Sequence, residues 1–585
     1  MKKIHASFFI VILVYLQIIF TDYLIYFLQI RYLYSNIIAL AINILIVCLI
    51  RKHIKLEINF NKFDALFLGG LFTFFIFSVG YPDTTWDTFS YHVYLQQNPF
   101  IDKVNFDLFP GRTLTSFVFP TADRINFLFA NILGYRVGTI FQYYIFIVLF
   151  YQVKRILTEL LSKVDKNIVS ILSIIPIFTF VLLEQTGTYY IDNFSVMLVL
   201  ELVIMSVIDY KNIFSDRKNL YYLSVLTGLL IATKITNLVY IIVPVVFIIM
   251  ANYKDIKKIK IWDYFICLAI VIIPSLPYII DNIVQTGSPL YPYYNNIFRS
   301  DLFPHESWLD TRYGPKNILE WLIWPVFTFI APSRVYDSKV VDYYWLFGYI
   351  ILIVYIAIII IKKKHKDNTL FRLSVLSLLF YLLWAKFLLG YTRYGGIIPT
   401  ISIICSLVIL INNFQNKRNT IINVCLSITI IISILYSFIN YLHCKNTLFN
   451  FFFRRNIDYA REYMDNAKFV FKDYGLERIK IDGVWGVVWD DSLLPTLLRH
   501  ENDRIIHLNR QFAAPTDELE EKYLDIIRNN TIYVPVTEFN KSKEKLDTVG
   551  TYDFEIIDEF EYYEENPIFR GTLKILKLEY KEGEI

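Results

Sequence analysis

The sequence predicts an α-helical polytopic membrane protein of about 13 transmembrane helices, with a C-terminal α/β domain outside the membrane. Three observations carry that reading. The 585 residues are 55% hydrophobic and only 19% charged, where a soluble chain carries about 25% charged residues. Apolar runs of roughly 18 to 20 residues recur, each long enough to cross a bilayer. The loops between those runs alternate in charge along the chain.

The expected spans lie at approximately 6–28, 33–50, 63–80, 136–153, 167–184, 188–208, 219–233, 235–250, 262–282, 342–361, 370–389, 393–412 and 420–441. Lys2 and Lys3 precede the first run, and no small-residue cleavage site follows it, so it reads as a span and not as a removed signal peptide. The stretch "ILEWLIWPVFTFIA" at 318–331 is too short and too interrupted for a span, and reads as re-entrant or interfacial. The tail from about 445 is different in kind. It is charged, with strand-like "TIYVPV" and "TLKILKLEY" and helix-like "DELEEKYLDIIRNN". Residues 1–444 are therefore expected to form a transmembrane domain with long loops at 81–135 and 283–341. Residues 445–585 are expected to form a soluble domain.

Sidedness follows from the cations. Arg51, Lys52, Lys55 and Lys62 fill one loop, and Lys154, Arg155, Lys163 and Lys166 fill another. Lys211 to Lys218, Lys254 to Lys260, Lys362 to Lys366, and Lys417 with Arg418 fill the rest. All fall on one side of the span list, which the positive-inside rule makes cytoplasmic, together with the N-terminus. The long loops and the tail then lie outside.

Other signals mainly exclude. The five cysteines sit in or beside apolar runs, with no metal-ligand spacing and no disulfide framework. No nucleic-acid motif and no phosphate-cradling glycine loop is present, so energy for any reaction outside the cell must arrive in the substrate. No internal repeat of the kind that builds secondary transporters stands out.

The unusual polar residues gather at the outer span ends, where ionisable groups are costly and are functional candidates. Asp87 in "YPDTTWDTFSYHVY" has helix-compatible spacing to Tyr91. A helix start would keep it ionised. Capping alone explains such a residue, and an ionised carboxylate is also what a general base needs. Asp83 reads as a turn residue after Pro82. Tyr91 and His92 follow, with too few neighbouring ligands for a metal site. Asp192 opens a later outward-facing helix, as a cap, an interhelical partner, or a second carboxylate facing the same cavity. Lys234 in "LLIATKITNLVY" and Arg393 in "GYTRYGG" are explained by snorkelling. With Arg312 and Arg334 they are also the cations able to reach an outer cavity, and phosphate is the anion such groups commonly hold. A lipid-linked phosphate substrate suits a site at the bilayer edge.

Four stretches resemble the GT-C superfamily of integral-membrane glycosyltransferases, closest to the branch of protein O-mannosyltransferases and bacterial aminoarabinose transferases. "WDTFSYH" resembles the acidic motif of the first outer loop, and "GLLIATKITNLVYIIVP" a recurrent helix pair. "NIVQTGSPLYPYYN" resembles the opening of the long outer loop, and "TRYGGIIP" a later helix start. The likeness covers about residues 63 to 412. It implies inverting transfer of a sugar from a polyprenyl-phosphate donor to an acceptor hydroxyl on a glycan, lipid or protein. Asp87 would be the base, Lys234 and Arg393 would hold the leaving phosphate, and Asp192 would orient the acceptor or assist the base. The first-loop acid is followed here by Thr88 and not by a second acid, so no metal is expected as cofactor.

Two other readings compete. A polysaccharide polymerase or ligase would rely on Arg312 and His305 in the 283–341 loop. A lipid or glycan transporter would place polar groups at the bilayer midplane. Richness in Ile, Asn, Lys and Tyr points to an AT-rich bacterial genome, and with it to envelope glycan assembly in the inner membrane.

Overall fold

In the computed structural model, residues 2–30, 32–51, 54–57, 60–79, 87–88, 92, 121–211, 213–291, 293–300, 305, 312–336, 342–363, 368–415, 420–445, 484–487, 504–508, 517–536, 554–566 and 571–581 are described. A short strand, β1 (Lys2–His5), runs into helix α1 (Ala6–Leu28). Helix α2 (Tyr32–Ile50) returns, and strand β2 (Ile54–Glu57) pairs with β1 in parallel, Lys2 opposite Ile54. Then come α3 (Lys62–Val79), α4 (Thr121–Leu133), α5 (Ile140–Leu160) and α6 (Lys166–Ile174). They are followed by α7 (Asp192–Val207), α8 (Arg217–Thr233), α9 (Leu238–Asn252), α10 (Ile261–Ile272) and α11 (Leu276–Thr286). Two short helices, α12 (Ile318–Leu322) and α13 (Trp324–Ile330), precede α14 (Tyr344–Ile361), α15 (Thr369–Phe387), α16 (Ile397–Gln415) and α17 (Thr420–Lys445).

Among the described residues, six helices are long and apolar enough to cross a membrane, or seven if the bent pair α10–α11 counts as one span. That makes the chain a multi-pass membrane protein. The count of spans read from the sequence is higher, and proline explains part of the difference. The expected span at 262–282 bends by 66° where α10 gives way to α11, at Pro274 and Pro277. The expected span at 167–184 breaks after α6 into a tight turn at Ile175–Ile177, which contains Pro176. Proline lacks the N–H that a helix interior uses, and its ring blocks the preceding turn. At 318–331 the interruption read from the sequence is present, with Ile318, Leu319, Phe329 and Ile330 exposed on α12 and α13.

Helix α7 is buried along its whole length, Asp192 to Val207. A helix apolar on all sides finds its place inside a bundle, and α5, α8 and α9 pack around it. Helix α14 is the opposite case. Its Phe347, Ile350, Ile353, Val354 and Ile361 are exposed, the surface a lipid-facing span presents.

The two ends of this bundle carry different chemistry. At one end Lys154 Nζ lies 2.6 Å from Asp64 Oδ2, Arg155 holds Asp209, and Arg217 Nε lies 3.1 Å from Asp263 Oδ1. These are residues of the basic loops and their near neighbours. Helix α7 starts at the other end, since Asp209 lies just past its last turn. Helix α8 finishes there, since Arg217 is its first residue. Asp192 and Lys234 therefore share the end away from the basic loops.

Beyond the helices, the described residues form a five-stranded sheet: β3 (Val484–Val487), β4 (Arg504–His507), β5 (Ile532–Val536), β6 (Phe554–Asn566) and β7 (Gly571–Tyr580). The order is β4-β3-β5-β7-β6, parallel across β4-β3-β5 and antiparallel across β5-β7-β6. Helix α18 (Asp517–Asn529) links β4 to β5 and buries Tyr523 and Ile527.

Candidate functional site

Four side chains from four distant segments meet at the end away from the basic loops. Arg393 Nη1 donates to Asp87 Oδ2 at 2.5 Å, and Arg393 Nε lies 3.5 Å from Asp192 Oδ2. Lys234 Nζ donates to Asp192 Oδ1 at 2.7 Å. Asp192 thus bridges both cations, and Arg393 bridges both carboxylates.

Each partner is held by its local sequence. Asp192 is the first residue of α7, and its carboxylate is not the cap. The Asn193 N–H donates instead to Gln185 Oε1 at 3.0 Å, which leaves Asp192 to the interhelical ion pairs. Lys234 occupies the break between α8 and α9 in an extended conformation. Asn237 fixes that break by donating to the Leu230 carbonyl at 3.0 Å and to Ser195 Oγ at 3.1 Å. The Arg393 segment is pinned on three sides. Trp324 Nε1 donates to the Gly390 carbonyl, Trp384 Nε1 to the Tyr391 carbonyl, and the Thr392 N–H to the Val335 carbonyl. Gly390 has φ +56°, and a Cβ there would sit 1.6 Å from Trp324 Nε1, so only glycine fits.

Aromatic rings complete the surround. Lys234 Nζ lies 3.8 Å from the centroid of Tyr394, and the Arg393 guanidinium lies 4.8 Å from that of Tyr190. Cations over ring faces are stabilised by the ring quadrupole. A small open cleft adjoins the cluster, lined by Lys234, Arg393, Asp192, Asn237, Thr236 and Tyr394 among others.

The electrostatics of Asp87 are decided by competition. Burial works against its charge, but Arg393, then His92 and Lys234, outweigh burial and hold its carboxyl below the usual carboxylate range. His92 is itself buried, with Nδ1 2.9 Å from Asp123 Oδ1 of α4. A neighbouring buried pair, Asp22 of α1 and Arg124 of α4, lies one residue further along α4 at 3.8 Å.

The structure thus brings together Asp87, His92, Asp192, Lys234 and Arg393. Tyr91 and Asp83 lie outside the described residues, as do the neighbours of Asp87 that would decide whether it caps a helix. Arg312 is exposed, 5.0 Å from the ring of Tyr313, which packs on Tyr391 beside the cluster. His305 is exposed as well. Arg334 does not join the cluster. Its Nη2 donates to Glu320 Oε2 at 2.7 Å while its guanidinium covers Phe327.

Sequence reasoning missed three contributors. Asp123 looks like an ordinary first-turn acid in "TADRINF". Its signal is the arginine beside it in a helix with no other charged residue. Glu184 ends an apolar run and accepts a hydrogen bond from the Tyr336 hydroxyl. Burial first, and then the Glu184 carboxylate, raise the Tyr336 phenol well above its ordinary value. Among the described residues no group of three or more His, Cys, Asp or Glu is close enough to hold a metal ion.

No protein-family model matches the chain, and no curated protein does. Among solved structures, the chain is similar to ArnT from Cupriavidus metallidurans bound to undecaprenyl phosphate, at 10% identity and TM-score 0.48. That match covers 88% of this chain and 97% of the other. The apo state of the same protein gives 10% identity, the same coverage and TM-score 0.49. The oligosaccharyltransferase of Archaeoglobus fulgidus in complex with Zn and sulfate gives 11% identity and TM-score 0.45, over 82% of this chain and 70% of the other.

Proposed function

We propose that the chain is an inverting glycosyltransferase. It moves a sugar from a polyprenyl-phosphate-linked donor to an acceptor hydroxyl on the outer face of the membrane. The observation that carries the reading is the convergence of Asp87, Asp192, Lys234 and Arg393 at one end of the bundle. A carboxylate with its charge held on, two cations and a cleft are the parts such a transfer needs.

The chemistry runs as one displacement. The acceptor O–H passes its proton to the Asp87 carboxylate as its oxygen bonds to the anomeric carbon. The bond from that carbon to the donor phosphate breaks, and its electron pair leaves on the phosphate oxygen. Lys234 and Arg393 stabilise the charge that develops there. Asp192 holds both cations in place and aligns the acceptor. We propose no metal for this site, because the two cations supply the positive charge that the leaving group requires.

The finer architecture belongs to the same proposal. The chain would have about 13 spans in a bacterial inner membrane, with the N-terminus cytoplasmic. Residues 445–585 would form an extracytoplasmic α/β domain, and the acceptor would be a glycan, lipid or protein of the cell envelope. The test is direct. Purified protein is incubated with polyprenyl-phosphate sugars labelled in the lipid, and released polyprenyl phosphate is measured. Release that depends on an acceptor supports the reading. A lack of release across hexose and pentose donors, by protein shown to be folded, overturns it.

A further inference from the structure

The proposed reaction asks two things of Arg393 that the resting geometry sets against each other. It must hold the leaving phosphate, yet its Nη1 is already on Asp87 at 2.5 Å. Asp192 stands on its Nε side at 3.5 Å and is bound in turn by Lys234 at 2.7 Å. Two carboxylates and two cations therefore satisfy one another. The cleft is lined by Lys234, Arg393 and the Asp192 between them, with Asp87 outside its lining, so an anion that enters it meets both cations beside that one carboxylate.

We infer that Arg393 is a latch on Asp87, and that the phosphate of the donor releases the base by taking Arg393 from it. This rests on the function proposed above and adds an order to it: donor first, acceptor deprotonation second. The physical argument is competition for one fork. A phosphate oxygen pair and a carboxylate bind a planar guanidinium by the same geometry and with comparable strength. While Arg393 is on Asp87, the carboxylate is a weak base, because basicity falls with pKa. Once Arg393 turns to phosphate, the titratable groups that still face Asp87 are His92, backed by Asp123, and Lys234. Lys234 is engaged by the same phosphate. The proton affinity of Asp87 then rises when an acceptor can use it, and the base stays masked when no donor is present.

Linkage makes the latch measurable. If phosphate and Asp87 compete for Arg393, weakening the Asp87 tie must strengthen phosphate binding. The probe is a polyprenyl phosphate without sugar, titrated into full-length protein in lipid nanodiscs. Asp87→Asn removes the competing charge and is expected to bind the probe about fivefold or more tighter than wild type. Asp87→Glu keeps the charge and is expected to match wild type. Should Asp87→Asn fail to fold, Asp87→Ser removes the same charge and reads the same competition. Equal or weaker binding by the neutral variants overturns the latch and leaves the glycosyltransferase reading standing. If wild type and variants all fail to bind the probe, the donor-phosphate reading falls, and the latch falls with it.

Discussion

Arg393 Nη1 and Asp87 Oδ2 lie 2.5 Å apart although 306 residues of chain separate them. Asp87 follows α3, and Arg393 precedes α16. Only the folded bundle brings them together. Arg393 leads the groups that hold Asp87 below the usual carboxylate range against burial, so the contact bears on how the site responds to pH.

The first expectation concerns that pH dependence. Arg393, His92 and Lys234 hold Asp87 below the usual carboxylate range against the effect of burial. A depressed carboxyl stays ionised until the pH falls through its folded value, so the stability it contributes is present above the unfolded value and lost on acidification. For the free enzyme, kcat/KM reports that group. The acid limb of kcat/KM should therefore lie below pH ~4, the ordinary carboxylate range. A profile already falling between pH 7 and pH 5 through a single carboxyl would contradict the assignment.

Lys234→Gln keeps a polar side chain of similar reach and removes the charge. Lys234 bonds to Asp192 at 2.7 Å and stacks on Tyr394. Losing a charged hydrogen bond to the leaving phosphate costs about 1.5–3 kcal/mol. Transfer should fall roughly 10- to 100-fold in kcat/KM, in a steady-state lipid assay. A change of less than twofold removes Lys234 from the donor site.

Gly390→Ala tests the support of Arg393 rather than its chemistry. The added Cβ meets Trp324 Nε1 at 1.6 Å, in a backbone conformation that disfavours side chains. Overpacking of this kind costs about 1–3 kcal/mol. Thermal unfolding in detergent should shift down and activity should drop with it. A variant with wild-type stability and turnover would show that the Trp324–Gly390 contact does not position the segment.

Chelation addresses the proposed absence of a metal. With Lys234 and Arg393 supplying the positive charge, EDTA treatment followed by gel filtration should leave the transfer rate within about twofold of the untreated enzyme. A loss restored by one divalent cation would assign that cation to the site.

Much of this was legible in the sequence, for identifiable reasons. Asp192, Lys234 and Arg393 stand out because ionisable residues at membrane depth are rare. The alternating loop charge placed them at one end, and the helix directions agree. Proline bends were harder to read. Pro274 and Pro277 sit inside an apolar run whose hydropathy is unbroken, so composition saw one span where the chain has two helices at 66°. The β1–β2 pair escaped notice because four-residue strands carry too little alternation to register. Asp123 was missed because its role depends on His92, 31 residues away. The ion pairing of Lys234 and Arg393 with carboxylates was also invisible, since sequence shows which charges are near a face and not which ones touch.

If Asp87 is the base of a sugar transfer, single-turnover transfer by Asp87→Asn loses that base and nothing else of the donor site. Protein of normal expression and unfolding temperature is mixed with labelled polyprenyl-phosphate sugar and acceptor, and product is followed over time. Donor should bind, with the chemical step slowed by about 10²–10⁴-fold, the usual contribution of a positioned base. Product formation by Asp87→Asn within a few-fold of wild type would contradict it.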